Sequence, residues 1–165
     1  MEVIKATLHQ WEDLWTETND RENIIFHLSE ITGRIPERNL ECFVFGAGLQ
    51  AMSTPFLLPI WNKSGELWSN EKFIDIVIHE LLHIFLVTNN DRYKEHLVQK
   101  FTDEEPLTQN HVFLYAILYE LYHVIFKKEP IDFGRDNLPP GYARAVELVR
   151  EIGYKELITE YRSLI

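Results

Sequence analysis

The feature that most constrains this chain is a strongly apolar stretch, residues 71–87, whose second half (79–87) contains two histidines and a glutamate among apolar residues. Its pattern predicts a buried helix from Glu71 to about Val87, with Ser69 or Asn70 as the N-cap. The apolar residues are Phe73, Ile74, Ile76, Val77, Ile78, Leu81, Leu82, Ile84, Phe85 and Leu86. Burying two imidazoles and a carboxylate there without partners would cost several kcal/mol. The sequence therefore indicates a binding partner for these polar groups.

The two histidines and the glutamate lie in the sequence His79-Glu80-Leu81-Leu82-His83. On a helix, histidines four residues apart share one face. Two such imidazoles can bind zinc through nitrogen at roughly 2.0–2.1 Å. A carboxylate beside the first histidine can then accept a proton from a water that the metal has made more acidic. The pattern predicts a zinc site at His79 and His83 with Glu80 as general base. The alternative is a pair of hydrogen-bonded core histidines with Glu80 on the surface.

This five-residue pattern resembles the active-site helix of zincin metallopeptidases. In that superfamily a small sheet precedes the helix, and its edge strand holds an extended peptide substrate. The resemblance implies a zinc-dependent peptidase with Zn²⁺ as cofactor and a peptide or protein as substrate. The metzincin branch is excluded, because its glycine and third histidine would fall where this chain has Leu86 and Asn89. A gluzincin would supply a glutamate from a later helix; Glu95 and Glu120 are possible, but neither has the flanking pattern of that branch.

A catalytic zinc site needs a third protein ligand and an open fourth position. We predict His111 as the third ligand, because it lies near the start of a long predicted helix that can pack across the first one. Glu120, Glu95 and His96 are the alternatives. A fourth protein ligand, such as His96 beside His111, would instead favour a structural site.

Several other residues are candidates for roles around the metal. Tyr115 lies one turn after His111, and its hydroxyl is predicted to approach the metal or polarise a substrate carbonyl. Tyr119 and Tyr122 compete for this role, although aromatic residues at helical spacing are more often core. Asp75 is predicted either to accept a hydrogen bond from an imidazole or to serve as a first-turn acid. Arg135 is a candidate contact for a substrate carboxylate.

The rest of the sequence predicts an α+β fold, a mostly helical single domain over residues 1–165 with a small antiparallel sheet before the metal-binding helix. Strands are expected at 41–45 and 56–61, with a short one at 66–68, and Pro59 implies an edge strand or a bulge. Helices are expected at 8–18, 20–32, 91–100, 108–127, 141–151 and 154–164, with a loop at 129–140. Gly33 suits the end of the second helix.

Composition narrows the function further. A net charge of −10 disfavours nucleic acid as a partner, because phosphate binding needs a basic face. The single cysteine, Cys42, excludes a disulfide framework and is expected to be a buried strand residue. No signal peptide or membrane-spanning run is apparent, so we expect a cytoplasmic protein that does not associate with membranes. The oligomeric state stays open.

Three functions remain. The first is a zinc metallopeptidase in which Glu80 moves the proton. The second is a zincin-like binding or regulatory module whose zinc is structural or inactive. The third is a zinc hydrolase that acts on substrates other than peptides.

Overall fold

The computed structural model describes residues 2–35, 40–46, 51–62, 64–87 and 91–165. The predicted α+β class is confirmed, because the described residues are mostly helical with one small sheet. The helices are α1 (Glu2–Glu22), α2 (Ile24–Thr32), α3 (Asn70–Val87), α4 (Asp91–Lys100), α5 (Pro106–Ile125), α6 (Pro140–Ile152) and α7 (Tyr154–Leu164), with a 3-10 helix at Ile131–Gly134. The strands are β1 (Cys42–Phe45), β2 (Met52–Ser53) and β3 (Phe56–Pro59). None of the helices in these ranges is both long and apolar enough to cross a membrane.

The first two helices meet at a left-handed residue. Helix α1 is longer than predicted, and the chain turns at Asn23, where φ is 52°. The side-chain oxygen of Asn19 accepts the backbone N–H of Ile25 at 3.0 Å, which satisfies one of the free donors at the start of α2. Helix α2 ends at Gly33 with φ 68°, as predicted, because glycine adopts this conformation without a steric penalty.

The sheet is mixed, so the prediction of a purely antiparallel sheet is wrong. Its order is β1-β3-β2, with β1 parallel to β3 and β2 antiparallel to β3. The two-residue strand β2 was too short to detect from periodicity, and it separates β1 from β3 along the chain. Consequently β1 and β3 are not the two arms of one hairpin, and they can run in the same direction.

Three further predictions about this region are corrected. Strand β3 is the central strand, although Pro59 predicted an edge strand or a bulge. Pro59 is the last residue of β3, and the N–H of Ile60 donates to the Phe45 carbonyl at 3.0 Å, so the missing donor falls at the strand end. Cys42 is exposed rather than buried. The protein atoms around its thiol still remove part of the hydration of the thiolate, and this raises the thiol pKa to about 11. The predicted strand at 66–68 is reduced to a single bridge between Trp61 and Leu67.

Helix α5 is the centre of the hydrophobic core. It packs against α2, α3, α6 and α7, so it is apolar on all sides rather than along one stripe. Its middle residues are at most 1% exposed: Val112, Phe113, Leu114, Tyr115, Ala116, Ile117 and Leu118. Helix α3 begins as predicted, because the Ser69 hydroxyl accepts the N–H of Lys72 at 3.2 Å. The packing of α3 on α5 brings the predicted site residues together.

Candidate metal centre

Helices α3 and α5 bring three histidines together, His79 and His83 from α3 and His111 from α5. Their candidate ligand nitrogens all lie within 4.8 Å of one another. The Nε2 atoms of His83 and His111 are 3.2 Å apart, and the three ring centroids are 4.8–5.2 Å apart. In a tetrahedral site with bonds of 2.0–2.1 Å, two nitrogens are separated by roughly 3.3 Å. The three histidines are therefore close enough to bind one metal ion.

A backbone contact orients His111 for this role. Its Nδ1–H donates to the carbonyl oxygen of Leu107 at 2.7 Å, one turn earlier in α5. Because a carbonyl can only accept, the proton is assigned to Nδ1, and the lone pair of Nε2 faces His83. Hydrogen bonds of this kind fix the tautomer and the ring orientation of metal ligands in proteins.

The three imidazoles are held in the neutral form that metal binding requires. Burial lowers the pKa of His79 well below its usual value, and the neighbouring His83 and His111 lower it further. Burial, followed by the proximity of His111, lowers the pKa of His83 to about 3. Burial also lowers the pKa of His111. Protons therefore do not compete for these nitrogens at neutral pH.

Glu80 lies beside His79 and lines the same cavity, which has a volume of about 450 Å³. Its side chain is only 8% exposed, and burial raises the pKa of its carboxyl to about 7. A group with a pKa near 7 can both accept and release a proton under physiological conditions. Glu80 is thus a buried carboxyl group that lines this cavity together with His79.

The alternative third ligands lie elsewhere. Within the described ranges, the group that could hold a metal next to His79 consists of the three histidines. His96 contacts the carboxylate of Glu160, a residue of α7, at 2.6 Å. Glu95 is exposed on α4, and Glu120 is half-buried in the last part of α5. None of these three joins the histidine cluster.

The predicted tyrosines bind carboxylates rather than the histidines. The hydroxyl of Tyr122 donates to Asp75 at 2.8 Å, and the hydroxyl of Tyr115 donates to Asp132 at 2.7 Å. Lys72 lies between the two carboxylates, 2.7 Å from Asp75 and 3.9 Å from Asp132. The buried Asp75 is therefore a partner of Tyr122 and Lys72. The role that the sequence assigned to Tyr115 stays a prediction.

Replacing Tyr122 by phenylalanine should destabilise the protein. Asp75 would stay buried with one donor fewer, and an unsatisfied buried acceptor costs about 1–3 kcal/mol. We expect the free energy of unfolding, measured by urea titration, to fall by that amount. Tyr119→Phe is the matched control, because its hydroxyl has only a 3.4 Å exposed contact with Glu129, and we expect a change below about 0.5 kcal/mol. Equal losses of unfolding free energy in both variants would contradict the role of Tyr122 as a stabilising donor to Asp75.

Tyr142, at the start of α6, was not among the residues predicted from the sequence. Its ring centroid is 4.5 Å from that of His111 and 6.4 Å from that of His79, and it lines the same cavity as Glu80. The sequence predicted a helix at 141–151, close to the observed bounds of α6. That prediction carried no information about which part of α5 the helix packs against. Arg135, a predicted substrate contact, also lines this cavity and is half-exposed.

The chain was compared with family models, curated proteins and solved structures. No family model, no curated protein and no solved structure matches this chain. Any assignment of function therefore depends on the chemistry of the histidine cluster and the cavity beside it.

Proposed function

We propose that this chain is a zinc-dependent hydrolase of peptide bonds that works in the manner of the zincins. The observation that carries the proposal is the convergence of three neutral imidazoles on one point beside Glu80. Imidazole is a good ligand for zinc, and three protein ligands leave a fourth position for the reaction. When bound, zinc would supply a water with a pKa near 7 and polarise the substrate carbonyl.

The residues of the chain supply the proton transfer and the geometry. Glu80 accepts a proton from the attacking water and releases it to the amine that leaves. A carboxyl pKa of about 7 permits both steps near neutral pH. The hydrogen bond from His111 to the Leu107 carbonyl orients the third imidazole before a substrate binds.

A peptide substrate is supported by the sheet. Within the described residues β2 lies at one edge of the sheet and contacts α3, and Ala51, directly before β2, lines the cavity. An exposed strand edge offers backbone N–H and C=O groups that an extended peptide can pair with. Such pairing would place a peptide bond in the cavity that contains His79 and Glu80.

A structural zinc site has less support. Structural zinc sites almost always have four protein ligands. His96, the residue named as a fourth ligand that would favour a structural site, is paired with Glu160, and Lys100 pairs with the same carboxylate. The described residues therefore offer three ligands beside a cavity, which is the pattern of a catalytic site.

The proposal is tested by incubating the protein, loaded with one equivalent of zinc, with a diverse peptide library and identifying cleaved bonds by mass spectrometry. We expect cleavage that stops when a chelator removes the metal and returns when zinc is added back. A chain that binds zinc but cleaves no library peptide would contradict the peptidase function. It would favour the binding or regulatory alternative or a substrate that is not a peptide.

A further inference from the structure

The start of α6 is fixed to the start of α5, the segment that also carries His111. The Thr108 hydroxyl donates to the Gly141 carbonyl at 3.1 Å. A Cβ atom at Gly141 would lie 2.9 Å from Cδ2 and 3.1 Å from Cβ of Leu107, so glycine permits this close approach. Leu107 is also the residue whose carbonyl orients His111. The backbone at Tyr142 therefore has a defined position relative to His111.

The ring of Tyr142 packs against His111 and lies near His79. The Tyr142 ring meets the His111 ring edge-on, at 73° and 4.5 Å between centroids. A tyrosine hydroxyl carries a proton that it can donate in a hydrogen bond. Glu80 and Tyr142 both line this cavity. Tyr142 therefore presents an available donor in the cavity where the reaction is proposed to occur.

Tyr115 has a similar ring position but a different hydroxyl environment. Its ring centroid is 5.7 Å from that of His111, yet the residue is fully buried and its hydroxyl donates to Asp132 at 2.7 Å. Breaking that bond would leave a buried carboxylate with one donor fewer, which is costly. Tyr142 is only half-buried and lines the cavity itself. Of these two tyrosines, Tyr142 is the one that can reach a substrate.

We propose that Tyr142 is a catalytic residue whose hydroxyl donates a hydrogen bond to the carbonyl oxygen of the scissile peptide bond as that oxygen gains negative charge. The hydroxyl keeps its proton throughout, so no bond to Tyr142 forms or breaks. The hydrogen bond from Tyr142 becomes stronger between the bound substrate and the transition state, because the carbonyl oxygen that accepts it becomes more negative. This inference rests on the proposed peptidase function.

The test compares wild type with Tyr142→Phe, using the best-cleaved library peptide and its phosphinic analogue, in which a tetrahedral phosphinate replaces the scissile amide. Loss of one donor of this kind lowers kcat by about 10²–10³-fold. We expect that decrease with KM within about threefold of wild type, because the interaction develops mainly in the transition state. Binding of the phosphinic analogue should weaken by a similar factor to kcat, while zinc affinity stays the same.

Tyr119→Phe is the matched control, since its hydroxyl contacts Glu129 on the surface, and all these quantities should be unchanged. Two results would overturn the inference alone: equal kcat and analogue binding in wild type and Tyr142→Phe, or a large loss of zinc affinity in the variant. The second would make Tyr142 a metal ligand. A wild-type protein that neither cleaves a peptide nor binds phosphinic peptides would overturn the proposed function as well.

Discussion

The Glu80→Gln variant is expected to cleave peptides about 10²–10⁴-fold more slowly than wild type, while it still binds one zinc ion per chain. General acid–base catalysis contributes a factor of this size, and glutamine cannot accept and release the proton. The amide has nearly the shape of the carboxyl group, so the histidine cluster should keep its geometry. Steady-state kcat/KM on a library peptide and elemental analysis of the same preparation measure both quantities.

A stability measurement separates this loss from misfolding. Burial raises the pKa of Glu80 from 4.5 to about 7, so in the metal-free protein the fold loses stability as the pH rises from about 4.5 to 7, and the full cost remains above pH 7. Removing the carboxylate should leave the free energy of unfolding at pH 8 unchanged or increase it. Glu95→Gln, an exposed change on α4, is the control and should keep full activity. Near-wild-type cleavage by Glu80→Gln would rule out Glu80 as the general base.

The local parts of this structure were predictable from the sequence. Helix α3 follows from its apolar run and the Ser69 cap, and the end of α2 follows from Gly33, because each depends on neighbouring residues in the chain. The pairing of His79 with His83 depends only on helical spacing. These features needed no knowledge of the tertiary structure.

The features that were missed depend on contacts between distant segments. The parallel pairing of β1 with β3 depends on the short strand β2 between them, whose two residues give no periodic signal. Asp132 meets Tyr115 and Lys72 only because the 3-10 helix after α5 folds back over α3. The environment of Tyr142 is likewise set by the packing of α6 on α5. Residue type and spacing do not encode such arrangements.

The prediction of His111 as the third ligand combined a local feature of the sequence with an expectation about tertiary packing. The distance of His111 from the α3 histidines could not be obtained from sequence spacing, since 28 positions separate it from His83. The prediction used the expectation that a long apolar helix would pack across α3. Helix α5 does so, and residue 111 falls in its second turn, on the side that faces His83.

The largest effect on metal binding is expected from His83→Ala and His111→Ala. Binding of zinc to a protein site releases about 10–16 kcal/mol, so one of three protein ligands accounts for roughly 3–5 kcal/mol. Loss of that contribution would weaken zinc affinity by about 10²–10⁴-fold. Competition titration with a coloured zinc chelator measures the affinity, and elemental analysis gives the stoichiometry.

Thermal unfolding provides a second readout for the same variants. Zinc at 1,000 times its dissociation constant would stabilise the wild-type fold by about 4 kcal/mol, because the metal binds the assembled site. Both alanine variants should lose most of this zinc-dependent increase in Tm. His96→Ala is the matched control, since its imidazole contacts Glu160 outside the cluster, and its response to zinc should equal that of wild type. If His111→Ala kept wild-type zinc affinity while His83→Ala lost it, the third ligand would not be His111. The close Nε2 contact between the two rings would then be a packing contact only.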